Sequence, residues 1–159
     1  MDDIFSQFQT DVNKLYAYFP KDITEVVEYI EKIYEVQIRY DFLFSNFYIF
    51  FLQFPKYKTV EEDFFQSRMQ IMRASLDKLI DKNYLYPAGC EHNYDLLVKN
   101  TWLVLSGWYG FSMIFKNTVY AISKEEFFLS IWNMYIYHLT EEGKKLVKAS
   151  YSKYIAKQK

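Results

Sequence analysis

The chain has 159 residues and a net charge of −1, with 20 acidic and 19 basic side chains. That is the size of one ordinary domain, able to bury about two-thirds of its unfolded surface, and the balance of charge gives it no electrostatic grip on nucleic acid. The single Cys90 excludes an internal disulfide framework, and 4 Gly and 3 Pro beside 15 Phe, 16 Tyr and 3 Trp point to long regular elements with a heavy aromatic load.

The opening MDDIFSQFQTD is acidic and lacks the basic start of a signal peptide, so a soluble, cytoplasmic chain is expected. Residues 3–18 carry Ile4, Phe5, Phe8, Val12, Leu15 and Tyr16 at helical spacing, and Pro20 stops that helix. Asp22 can cap a second helix running to about Arg39, with Val26, Val27, Ile30, Ile33, Tyr34 and Ile38 on its apolar side. The stretch FLFSNFYIFFLQF, residues 42–54, carries no charge. As a helix it spans roughly 20 Å, against about 30 Å for a bilayer core, so it is no membrane span. Apolar all round, it is predicted to be a central helix covered on every side. There the amide of Asn46 needs a buried partner, whether backbone, tyrosine hydroxyl or ligand.

Thr59-Val-Glu-Glu62 has the spacing of a capping box and opens a long helix to about Asn83, with Glu61, Glu62 and Asp63 in its acidic first turn. Phe65, Met69, Met72, Leu76 and Leu79 make its inner stripe. NYLYPAGCEHN is the clearest loop. A fifth helix covers roughly 91–117. Ser123-Lys-Glu-Glu126 is a second capping box, opening a helix to about His138, and Thr140 caps a last, lysine-rich helix. No strand pattern competes. The prediction is an all-α bundle of about seven helices, one domain over residues 1–159.

In the fifth and sixth helices apolar residues cover more than one face. One face can pack on the chain's own core, and the other needs a partner. Ser106, Gly107 and Gly110 leave one side of the fifth helix nearly bare, so another helix can approach closely. A two-fold helical interface between two copies follows, with Gly107, Trp108, Phe111 and Phe115 on the fifth helix and Phe128, Ile131, Trp132 and Tyr135 on the sixth as the expected contacts.

From about residue 40 to 147 the chain resembles the ligand-binding and dimerisation part of TetR-family transcriptional regulators, in the form common in Bacteroidetes. The resemblance is carried by YDFLFSNFYIFFLQFPKY, SLDKLIDKNYLYP, NTWLVLSGWYGFSMIF and IYHLTEEGKKL, in that order and spacing. It implies an all-helical homodimer closed by a four-helix bundle, an apolar cavity among the middle helices, and a DNA-binding head ahead of them. That head is missing from this chain. LYAYFPK at 15–21 echoes the motif that closes the family's head, but too few residues precede it for three helices, so it is read as a helix end stopped by Pro20.

Candidate ligand contacts follow from spacing. Phe44, Phe47, Tyr48 and Phe51 form one stripe; Asn46 adds an amide; Met69 and Met72 face them from the fourth helix, and Trp102, Ser106 and Tyr109 from the fifth. Aromatic walls with a few polar tips suit a small apolar or amphipathic effector. Arg39, Arg68 and Arg73 are read mainly as solvated, and the C-terminal lysines as a solvated helix face. Cys90 and His92 do not make a metal or nucleophile site, which needs more convergent partners; no catalytic residue, metal or cofactor is expected, and the chain is not read as an enzyme. The sensor reading therefore stands first. The alternative is a helical protein–protein interaction module without a ligand cavity.

Overall fold

The computed structural model describes residues 2–121 and 123–157, the side chains of residues 47, 155 and 157 excepted. Among them lie eight α-helices: α1 (Asp2–Ala17), α2 (Val26–Arg39), α3 (Asp41–Phe44), α4 (Phe47–Gln53), α5 (Pro55–Asp81), α6 (Tyr94–Phe115), α7 (Lys124–Ile136) and α8 (Glu141–Lys157), with a 3-10 turn, Ile23–Glu25, ahead of α2. The expected all-α bundle is what forms.

Two expectations fail in the middle of the chain. The segment 42–54 is not one helix. It breaks at Ser45 and Asn46, where the Asn46 backbone (φ −136°, ψ 36°) leaves the helical region. The break lets Leu43, Phe50 and Phe51 turn inward while Phe42, Ile49 and Leu52 stay exposed. Its uniform apolarity concealed which side is buried. Nor does the next helix start at Thr59. Pro55 occupies its first turn, where a missing N–H costs nothing. Glu61, expected in an acidic surface turn, thus sits two turns in and is buried.

Elsewhere local chemistry sets the ends. The Asp22 carboxylate accepts from Thr24 N at 3.1 Å, and Asn93 from Leu96 N at 3.0 Å. The box at α7 is complete: Glu126 N donates to Ser123 Oγ at 3.2 Å and Ser123 N to Glu126 Oε2 at 2.7 Å. Asn83 stops α5 in the left-handed region (φ 60°), with Asn83 N on Ile80 O at 2.8 Å and Tyr84 N on Leu79 O at 2.9 Å, the pairing of a Schellman motif.

The loop beyond is tied down. Thr140 N donates to Tyr84 O at 3.0 Å and Tyr86 N to His138 O at 2.9 Å. The Thr140 hydroxyl caps α8 through Gly143 N at 3.1 Å. A Cβ on Gly143 would stand 2.2 Å from the Tyr84 carbonyl oxygen, so this crossing requires glycine. The LTEEG run is therefore a joint between the α5–α6 loop and α8.

Buried side chains form two clusters. The first gathers Phe5, Phe8 and Val12 of α1 with Phe50, Phe51, Met72, Leu76 and Leu97. The second gathers Val27, Ile30 and Ile33 of α2 with Leu105, Trp108, Phe127 and Ile131.

Candidate functional site

The candidate site lies where the two clusters meet. The apolar stripes of α1, α2, α5, α6, α7 and α8 converge there without filling the space. They leave a pocket of about 70 Å³ lined by side chains such as Ile30, Met72, Leu76, Ile131 and Trp132, none of them charged. Its polar groups are few. Thr101 and Tyr135 join hydroxyls at 2.9 Å, and the Tyr29 hydroxyl is buried without a partner among the described residues. Burial pushes the Tyr29 phenol well above its ordinary value and Tyr135 up to about 12, so both stay neutral across the physiological range.

A second pocket, of about 40 Å³, adjoins it; the two share Tyr16, Ile33 and Leu105. Its lining includes Phe44, Trp102, Ser106, Gln37 and Arg68. Arg68 is only 1% exposed, against the expectation of a solvated side chain. Its Nη1 donates to Glu61 Oε1 at 2.6 Å and its Nη2 to Gln9 Oε1 at 2.9 Å, while Gln9 Nε2 donates to Glu61 Oε2 at 2.6 Å. The guanidinium also lies 5.5 Å from the Tyr16 and Phe64 ring centres and 5.9 Å from that of Trp102. Burial lifts the Glu61 carboxyl above its usual value, and Arg68 pulls it back. Gln37 Nε2 donates to the Leu105 carbonyl, which fixes the amide orientation and leaves Oε1 as the unpartnered end.

A groove of about 290 Å³ runs outside, between α2, α7 and α8. It shares Val26, Ile30, Trp132 and Val147 with the larger pocket, and Lys144 and Lys148 stand along it. No three His, Cys, Asp or Glu side chains converge as metal ligands, and no helix is long and apolar enough to cross a membrane, among the described residues.

The residues singled out as ligand contacts are dispersed. Phe44, Trp102 and Ser106 come together at the small pocket, and the Tyr48 hydroxyl reaches Ser106 Oγ at 3.0 Å from the half-exposed α4. Met72 lines the large pocket. Phe51 packs in the first cluster, Met69 against it, and Tyr109 against the second. Asn46 is exposed, its Nδ2 donating to the neighbouring Ser45 Oγ at 3.4 Å, so it has no desolvated amide to satisfy. The side chain of Phe47 lies outside the described residues.

The expected interface residues also divide. Trp108 (7% exposed), Phe128 and Ile131 are buried in the chain's own second cluster, and Trp132 and Tyr135 line the large pocket. Phe111 remains exposed, its ring tilted against that of Phe115 with centres 4.4 Å apart. Gly110 faces inward, within 3.1 Å of Ser45 O for an added Cβ, whereas Gly107 opens on free space. Missed from the sequence were Tyr29, Gln37 and the Gln9–Glu61–Arg68 set. The available signal was a glutamine interrupting each apolar stripe, Gln9 in α1 and Gln37 in α2, and an acid–base pair seven residues apart on one face of α5.

The fold has a solved counterpart. A TetR-family transcriptional regulator from Marinobacter aquaeolei VT8 superposes with a TM-score of 0.75 over 94% of this chain and 73% of its own, at 16% identity. No curated protein matches. The sequence model of the TetR family, described as bacterial transcriptional repressor, matches residues 7–147, nearly the whole bundle from α1 into α8. The chain belongs to the TetR family of bacterial transcriptional regulators.

Proposed function

We propose that this chain is the effector-sensing and dimerisation domain of a TetR-like regulator, with DNA contact assigned to residues outside these 159. The observation that carries the reading is the uncharged pocket between the two cores. At about 70 Å³ it is smaller than the roughly 150 Å³ that holds a benzene, and far below the roughly 300 Å³ of a small-molecule site. An apolar effector must therefore push the clusters apart to enter. That gives it different affinities for the closed and expanded arrangements, which a ligand needs if it is to shift a conformational equilibrium. The groove past Trp132 supplies the route inward.

Dimerisation is assigned to the outward side of α6. Leu96, Leu103, Gly107, Phe111 and Ile114 recur there at helical spacing, with Leu103 59% and Ile114 75% exposed in the single chain. Such a stripe is self-complementary about a two-fold axis, and Gly107 lets the backbones approach. This replaces Trp108, Phe128 and Ile131 as the contact set. The other reading, a docking module for a different protein, draws on the exposed Ile49 and Leu52 of α4.

Native mass spectrometry and sedimentation of the purified chain separate the two. The sensor reading expects a dimer at micromolar concentration that takes up toluene, a generic apolar probe. A monomer that takes up none and is captured through α4 by another protein would replace it with the docking module.

A further inference from the structure

Three buried side-chain polar atoms lack a hydrogen-bond partner among the described residues: Tyr29 Oη, Gln37 Oε1 and Arg68 Nε. All three belong to residues lining the two adjoining pockets, Tyr29 the larger and Gln37 and Arg68 the smaller. Unsatisfied buried groups are few in folded proteins, and their gathering in one place calls for a cause. On the lining of the small pocket the unpartnered atoms are one donor, Arg68 Nε, and one acceptor, Gln37 Oε1. Arg68 bonds Glu61 and Gln9 through its two terminal nitrogens while its Nε has no partner, and Gln37 donates from Nε2 to Leu105 while its Oε1 has none, among the described residues. One hydroxyl group answers both, accepting from Nε and donating to Oε1. Charge narrows the choice further. Glu61 already balances Arg68, so a carboxylate placed here would be a surplus buried anion.

We propose that the two pockets are the lobes of a single site for an apolar molecule ending in a neutral hydroxyl, a phenol or an alcohol, with the hydroxyl seated between Arg68 and Gln37. The apolar body extends past Tyr16, Ile33 and Leu105 into the larger lobe, where the Tyr29 hydroxyl meets any second polar group. This rests on the effector-pocket reading and names the ligand class for it. Water is the competitor, since about 40 Å³ exceeds the roughly 10–15 Å³ that one water needs.

The test titrates the full chain at pH 7 with p-cresol, toluene and benzoate, read by calorimetry and by thermal shift. The expected order is p-cresol about tenfold tighter than toluene, the worth of one buried hydrogen-bonded group, with benzoate weakest. Gln37→Met should take away most of the p-cresol advantage over toluene, Arg68 Nε alone then meeting the hydroxyl. If toluene binds and p-cresol binds no better, the hydroxyl assignment falls while the pocket stands. If neither binds, the pocket reading falls and takes the assignment with it. Should benzoate bind tightest, the ligand is an anion and the assignment is wrong. Where Gln37→Met fails to fold, a crystal structure of the unaltered chain with p-cresol decides. Its oxygen within hydrogen-bond distance of both atoms supports the proposal, and an undisplaced water on them overturns it.

Discussion

Arg68 shows how one side chain can be both a stabilising and a costly element. Buried with Glu61 and Gln9, it is satisfied at its two terminal nitrogens. Removing one partner of a buried ion pair leaves the other uncompensated. Arg68→Met should therefore lower the unfolding free energy by about 3–5 kcal/mol in urea titration, and Glu61→Gln in the same chain should recover part of it. Tyr29→Phe should behave in the opposite way. Its hydroxyl has no partner among the described residues, so its loss should leave stability within about 1 kcal/mol or raise it. Gly143→Ala acts by sterics alone, driving a methyl against the Tyr84 carbonyl oxygen, and should cost about 1–3 kcal/mol in the same assay.

At the scale of elements, the helices that declared themselves in the sequence did so by their ends. Asp22, Ser123 and Thr140 each make the cap their position promised, Asp22 on the 3-10 turn that leads into α2. The middle of the chain was less legible for a physical reason. A run such as FLFSNFYIFFLQF has no polar side, so periodicity cannot say which face is buried or where the helix breaks. The pocket was hidden likewise, since it arises where stripes from six helices fail to mesh, and no single stripe encodes that. The α5–α6 loop carries its own prediction. His92 Nδ1 and His138 Nδ1 lie 3.2 Å apart, which requires at least one neutral ring. Burial, and then the neighbouring His92, hold His138 below its ordinary value. A depressed pKa means stability present above about pH 6.5 and lost as pH falls through the folded value. Protection of the Tyr86 and His92 amides against exchange, taken relative to the unfolded chain at each pH, should fall as pH drops below about 6.5, and His138→Phe should abolish that fall.

The whole molecule is two cores joined along a seam, with an apolar stripe on α6 facing outward. If that stripe pairs two copies, Leu103→Glu should convert a micromolar dimer to monomer in sedimentation while leaving helical circular dichroism unchanged, because the side chain is exposed in the single chain. The imperfect meshing at the seam has a further, mechanical consequence. Voids inside a folded chain vanish when it opens, so compression favours the opened form. This bundle should give way first along the joint between its halves under hydrostatic load, and a guest wedged there should stiffen it.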